Sequence, residues 1–467
     1  MGKAKAKLYF IPQKFKPLVL KIAQCLLPFV LRFRTRPWLI GGITKIEAKN
    51  AKTLVKLYHQ FQAGKIRFLM AFRHSEVEDP LCMLYLMSRI IPKTAKTMGI
   101  YLQAPIHTHF IYDRGMTIWA GNWLGWLFSR SGGIPIHRGK PLDRIALKNT
   151  RDLFARGKFP LTVAPEGATN GHGEKVSALE PGTAQLGFWC VEDLVKANGN
   201  QQVLIVPIGI RYFYLKPPWR QLDRLFSQLE LDSGLSPQPL QSKQYENVTA
   251  FLYPRLLRLG THLLQEFEDF YKRFYNQEIS LVEKSELTIN QKLAQRLPLL
   301  LDIALKVAEE YFNLPSRGTI IDRCRRLEEV GWNRIYREDI TDMNKISPLQ
   351  RGLADWIAEE AELRLKHMRL VESFVAVTGS YVQEKPSPER FAETGLILYD
   401  LIARIKGKKI PRRPCLGKRK VVITIGDTLS VRESYSNYKT NRRAAKQAIR
   451  DLTQDLQIAL EKLANCD

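Results

Sequence analysis

Short, mostly apolar runs separated by amphipathic stretches constrain the fold of this chain more than any other feature. Ile66–Phe72 (IRFLMAF) is one such run. It is too short for an ordinary helix and reads as a buried strand. Phe159–Ala164, Val203–Ile210 and Val421–Ile425 are three more, and Gly133–His137 is a short strand after a Gly-Gly turn. Between the first runs, Pro80–Ile91 and Leu142–Arg156 carry helical patterns, and Gly157 supplies the stop of the second. Thr117–Phe128 is rich in Trp and also reads as helical. Strands alternating with helices predict an α/β domain.

Beyond Tyr214 the character changes. Pro217, Pro218, Pro237 and Pro239 punctuate a linker-like stretch. Long helical patterns then dominate: Leu256–Tyr275, Leu299–Phe312, Leu349–Val377 and Pro388–Ile405. Lys406–Lys420 is a basic linker, and Arg442–Leu463 a terminal helix. No internal repeat is visible. At 467 residues the chain has room for more than one domain. The expected division is a basic, membrane-interfacial helical segment (1–60), an α/β domain with the candidate site (61–213), a mainly helical insertion (214–415), and a strand and helix that complete the α/β domain (416–467).

Charge narrows the partners. Lys and Arg number 72 against 46 Asp and Glu, a net +26. Such a field favours polyanions, either nucleic acid or anionic lipid. No nucleic-acid motif is recognisable, and the aromatic residues do not interleave with Lys and Arg as a base-stacking surface requires. No specific nucleic acid is therefore expected. The six cysteines are scattered without a C-x-x-C pair, which argues against a zinc ribbon or redox motif. His107-x-His109 has no Asp, Glu or Cys cluster beside it in sequence, so no metal is expected. Near the N-terminus, Leu18 to Phe33 is apolar but interrupted by Lys21, Gln24 and Pro28. It is too short and broken for a spanning helix and suits an interfacial one. Trp119, Trp123 and Trp126 recur at helical spacing, which fits core packing and a lipid interface equally.

Four segments carry chemistry. Arg73-His74-Ser75-Glu76-Val77-Glu78-Asp79-Pro80 follows a strand directly. A neutral imidazole there can take a proton from a hydroxyl, and a carboxylate can hold its other nitrogen. Asp79-Pro80 is equally a good helix start. Gly133 to Arg138 delivers an arginine to a strand end, where its planar fork suits phosphate; Lys140 and Arg144 lie near it in sequence. Pro165-Glu166-Gly167-Ala168-Thr169-Asn170 ends another strand; Glu166 can anchor this loop or bind an acceptor hydroxyl, and Gly167 allows close backbone approach. Val206-Pro207 lies in a strand whose proline suits a sheet edge or strand end.

In this order and spacing, the four segments resemble the blocks of the glycerolipid acyltransferase family, the bacterial lysophosphatidate acyltransferases in particular. The resemblance covers roughly residues 66–211 and resumes at Val421 to Asp427. It implies a mixed, mostly parallel sheet flanked by helices, with the helical segment as a large insertion. It implies His74 as general base, Asp79 as its orienting carboxylate, Arg138 as a phosphate ligand, and Glu166 and Gly167 as shapers of the acceptor pocket. No cofactor is implied; the co-substrate is a thioester of coenzyme A or acyl carrier protein, and the acceptor a lysolipid, most simply 1-acyl-glycerol-3-phosphate. The expected location is the cytoplasmic face of a membrane, against anionic lipid. One departure stands out: family members often carry an arginine two residues after the P-E-G glycine, where this chain has Thr169. That leaves another lysolipid, or an alcohol without phosphate, as the second reading of the acceptor. A catalytically silent lipid-binding scaffold is the remaining rival, and the intact His74 and Asp79 pair argues against it.

Overall fold

The computed structural model describes residues 3–6, 11–136, 144–278, 287–374, 380–408 and 410–465. Ten strands occur among them: β1 (Lys5–Ala6), β2 (Ile43–Lys49), β3 (Ile66–Phe72), β4 (His109–Asp113), β5 (Gly133–Ile136), β6 (Leu161–Val163), β7 (Gln202–Tyr214), β8 (Tyr336–Arg337), β9 (Arg419–Ile425) and β10 (Leu429–Ser430). The chain divides into two compact units.

One unit comprises the described residues of 11–136, 144–217 and 412–465. Its sheet runs β2-β9-β7-β3-β6-β4-β5, with β10 also on β7. The pairs β3–β7, β3–β6, β4–β6, β4–β5 and β2–β9 are parallel, whereas β9 and β10 run antiparallel to β7. This is a mixed, mostly parallel sheet flanked by helices. Because side chains alternate along a strand, β3 feeds two cores. Phe68, Met70 and Phe72 join Val206, Ile208 and Ile210 of β7 on one face, over the helix Ala51–Gln62. Leu69 and Ala71 join Val203 and Ile205 on the other, over the helices Gly182–Lys196 and Arg442–Asn465. Burial of each large side chain stabilises the sheet by roughly 1.5–3 kcal/mol.

Several expectations need correction. The strand β2 and helix Ala51–Gln62 belong to this sheet and its core, so the sheet starts well before residue 61. The apolar stretch of 117–128 breaks into helices Met116–Ala120 and Asn122–Arg130 at Gly121, whose φ is +94°. Pro207 lies in an interior strand, not at an edge. It is tolerated because β9 pairing starts one residue later, at Ile208 with Ile425, so its missing N–H points beyond the end of β9.

The other unit is built from the described residues of Pro218–Pro411 with β1, which pairs with β8. Here the linker-like reading of 217–239 fails. Helix Trp219–Asp232 lies between the prolines and buries Leu222, Leu225, Phe226 and Leu229 at i, i+3, i+4 and i+7. This helix and Val248–Tyr275 form a hairpin locked by one buried arginine. Arg255 donates from Nε and Nη2 to both oxygens of Glu230 (3.1 and 2.8 Å) and from Nη1 to Asp223 (2.5 Å). The next pair, Ile289–Phe312 and Ile320–Ile335, repeats the device. Arg323 donates to both oxygens of Glu309 (2.8 and 2.7 Å) and to Asp302 (2.5 Å). In each, Asp precedes Glu by two helical turns, so both face the arginine, and a second arginine three residues on (Arg258, Arg326) approaches the same glutamate. Each first helix then ends in a left-handed residue, Gly234 or Asn313, and the next N–H returns to the glutamate carbonyl. The chain thus carries a repeated hairpin after all. Its signature is a handful of charged and cap positions, which apolar periodicity does not reveal.

Candidate active site

β3 ends at Phe72, and its parallel partner β7 continues alongside, Arg73 N–H reaching Ile208 O at 2.9 Å. The chain then turns through 73–78 into the helix Asp79–Tyr85. His74 is therefore held at the C-terminal end of a strand, with its side chain 19% exposed. Its Nδ1 lies 3.3 Å from Asp79 Oδ2. The Asp79 carboxylate is fully buried and accepts two further hydrogen bonds, from Glu76 N–H (2.8 Å) and from the Tyr212 hydroxyl (2.5 Å). It makes no side-chain cap on its own helix, whose N-cap is Glu78. The helix-start reading of Asp79-Pro80 accordingly accounts for the proline but not for the carboxylate. Since a carboxylate only accepts, a neutral imidazole held here carries its hydrogen on Nδ1, toward Asp79, and leaves the Nε2 lone pair free for a proton. The Phe72 ring meets His74 edge-on, centroids 5.6 Å apart.

Glu166 takes the anchoring role of its two options. One oxygen accepts His74 N–H at 2.9 Å, with Arg73 Nε 3.4 Å away; the other accepts Ser177 N–H (2.9 Å) and Asn170 Nδ2 (3.0 Å). Gly167 makes the turn at a φ of +76°, a backbone region that favours glycine. Arg138 and Lys140 lie outside the described residues.

Sequence reasoning missed three groups here. Arg73 is fully buried and donates to the carbonyls of Gly173 (2.7 Å), His172 (2.5 Å) and Lys175 and to Asn170 Oδ1 (3.3 Å), so it clamps the loop 165–177 to the end of β3. Tyr212 comes from β7. Glu76 and Glu78, also buried, form an acidic floor under Asp79 that is neutralised from the C-terminal segment. Arg413 approaches Glu76 at 3.4 Å, and Arg419 lies 3.8 Å from both glutamates. Glu78 Oε1 also accepts the N–H groups of Ile40 (2.6 Å) and Gly41 (3.3 Å). Burial pushes the Glu76 carboxyl up to about 7, with Arg413 and Arg419 opposing. The adjacency of Arg73 to His74 was the only available signal for that clamp; nothing in local sequence links 76 to 413 or 419.

His107 and His109 are held by backbone carbonyls, of Ser131 at 2.7 Å and Gly132 at 3.2 Å. Among the described residues, no group of three or more His, Cys, Asp or Glu is arranged to hold a metal.

The arrangement pairs a reachable imidazole with a buried carboxylate on a rigid strand end. It can remove a proton from a hydroxyl without a serine or cysteine nucleophile. In comparisons with known proteins, the model of the family described as Acyltransferase matches residues 49–211, the segment that contains β3, the loop 73–79 and the loop 165–177. No curated protein matches the chain.

Proposed function

Taking residues 49–211 as an acyltransferase domain of the glycerolipid type, we propose that this protein moves a fatty acyl group from a thioester to the hydroxyl of a membrane glycerolipid. The observation that carries the proposal is the buried Asp79 carboxylate on Nδ1 of the reachable His74. Nε2 takes the proton of the acceptor hydroxyl, whose oxygen attacks the thioester carbonyl. The tetrahedral oxyanion then collapses, the carbon–sulfur bond breaks, and the leaving sulfur takes the proton from His74. The products are an ester and a free thiol. Asp79 stabilises the transient imidazolium and maintains the tautomer. The donor is a thioester of coenzyme A or acyl carrier protein, and no cofactor takes part. The acceptor is 1-acyl-glycerol-3-phosphate, read from Arg138; Thr169 in the third block favours a lysolipid or alcohol without phosphate as the second reading. Purified protein supplied with labelled thioesters and a panel of phosphorylated and unphosphorylated acceptors tests both. Ester on the phosphorylated acceptor alone supports the first; no ester with either carrier refutes the class.

We further propose that the protein works on an anionic membrane surface, at the cytoplasmic face. Among the described residues no helix is long and apolar enough to cross a membrane. What supports surface binding is the helix Pro17–Arg32. Leu20, Leu27 and Leu31 are buried on one side, while Leu18, Ile22, Leu26, Phe29 and the following Phe33 are exposed. At about 100° per residue these five share an arc of roughly 80°. Trp123 and Trp126 are also exposed, with Arg36 and Arg130 over their rings at 4.4 and 4.9 Å. Charge agrees: in residues 218–411 the 28 Lys and Arg match 28 Asp and Glu, so the whole +26 excess lies elsewhere in the chain. Ile22→Asp with Phe29→Asp is expected to lower partitioning onto anionic vesicles by more than about tenfold, since each side chain withdrawn from lipid forfeits on the order of 1.5 kcal/mol or more. Co-sedimentation measures it, and unchanged partitioning sinks the assignment of this face.

A further inference from the structure

We infer that Tyr212 is a positioning residue of the acyl-transfer site, holding the Asp79 carboxylate so that it faces Nδ1 of His74. The inference rests on the proposed reading of His74 and Asp79. Its geometric basis is the length of β7. Val206, Ile208 and Ile210 alternate on the face shared with Phe68, Met70 and Phe72, and Phe72 pairs with Ile208. β3 ends there, but β7 runs on to Tyr214. Tyr212 is next in the alternation, so its ring stands over the place that β3 has vacated. The first turn of the helix Asp79–Tyr85 occupies that place. The hydroxyl reaches Asp79 Oδ1 at 2.5 Å, while His74 and Glu76 N–H share Oδ2.

Each carboxylate oxygen thus has its own donors, and the carboxylate cannot rotate without losing one. The tyrosine is itself held: the Arg419 guanidinium lies over its ring at 4.9 Å, and Cys82 Sγ is 3.7 Å from its hydroxyl. Burial, and then Asp79, push the phenol well above its ordinary value, so it remains a donor throughout the working range. The other charged groups around the carboxylate are Glu76 and Glu78 from its own loop, and Arg413 and Arg419 facing those glutamates. With two more carboxylates so near, a charged Asp79 needs a dedicated donor.

The test is Tyr212→Phe in the full chain, which keeps the ring under Arg419 and removes only the hydroxyl. Loss of the hydroxyl donor weakens the stabilisation of negative charge on the Asp79 carboxylate beside His74, which makes proton uptake at the site easier. The acid limb of the kcat/KM profile is expected to move to higher pH. The expected fall in kcat is roughly tenfold, with KM changed less than twofold. Fluorotyrosine at 212, a stronger donor of nearly the same shape, is expected to move the limb to lower pH, and it guards against a Phe variant that fails to fold. Limbs that superimpose on the parent in both proteins overturn the inference, as does a uniform loss of rate with an unmoved limb. His74→Ala run alongside separates the two levels: if it retains parental activity, the acyl-transfer reading itself has failed.

Discussion

His74→Ala is expected to lower kcat by roughly 10²–10⁴-fold, the usual contribution of a positioned general base, with substrate affinity and fold intact. The side chain is partly exposed and its hydrogen bond goes to Asp79 alone, whereas the backbone N–H that Glu166 holds survives the substitution. Asp79→Asn should come close to it in rate. An amide in that place can present its NH₂ to Nδ1 and favour the wrong tautomer, with no charge to balance the imidazolium. It differs in stability, because the amide must still satisfy the donors from Tyr212 and Glu76. Labelled-ester formation beside a urea unfolding curve for each variant separates the two effects. A rate for His74→Ala within tenfold of the parent sinks the assignment of His74 as base.

The largest stability loss is expected from Arg73→Met. Its guanidinium is fully buried, donates to three backbone carbonyls and Asn170, and lies 3.4 Å from the buried Glu166 carboxylate. Methionine fills part of the volume but leaves those carbonyls without donors and Glu166 without its cation. Removal of one partner from a buried ion pair costs about 3–5 kcal/mol. The expected result is an unfolding free energy from urea titration lowered by that amount, with activity falling in parallel, since the loop 165–177 holds His74 N–H through Glu166. A double variant, Arg73→Met with Glu166→Gln, should recover part of the loss by removing the stranded charge. A shift below about 1 kcal/mol in the single variant sets the clamp aside.

How much of this was legible in the sequence depends on how local the physics is. The strand β3 was readable because a seven-residue run whose one polar residue is Arg67 leaves no polar helical face, and the loop after it because His and Asp lie five apart. Arg73, also in that loop, was visible but mute: only the fold shows that 170–175 come round to its guanidinium. Tyr212 is 133 positions from Asp79, and its role depends on β7 outrunning β3. No pattern within either segment encodes that. The helix Trp219–Asp232 was hidden by the prolines around it, although its own leucines have good helical spacing. Glu166 could be read from its sequence as either loop anchor or substrate contact, and only its four neighbours show that it anchors the loop.

β9 lies between β2 and β7 and pairs with both, yet it is encoded after the roughly 200 residues that separate Tyr214 from Arg419. On a ribosome adding about 5–20 residues per second, β7 waits roughly 10–40 s for its partner and β2, encoded far earlier, roughly 20–75 s. During that interval the two locked hairpins close from local contacts, while two sheet edges stay open and Glu76 and Glu78 lack their arginines. The nascent site is therefore assembled last, by the C-terminal tenth or so of the chain. Truncation before β9 leaves exposed strand edges, and with them a polypeptide prone to aggregate.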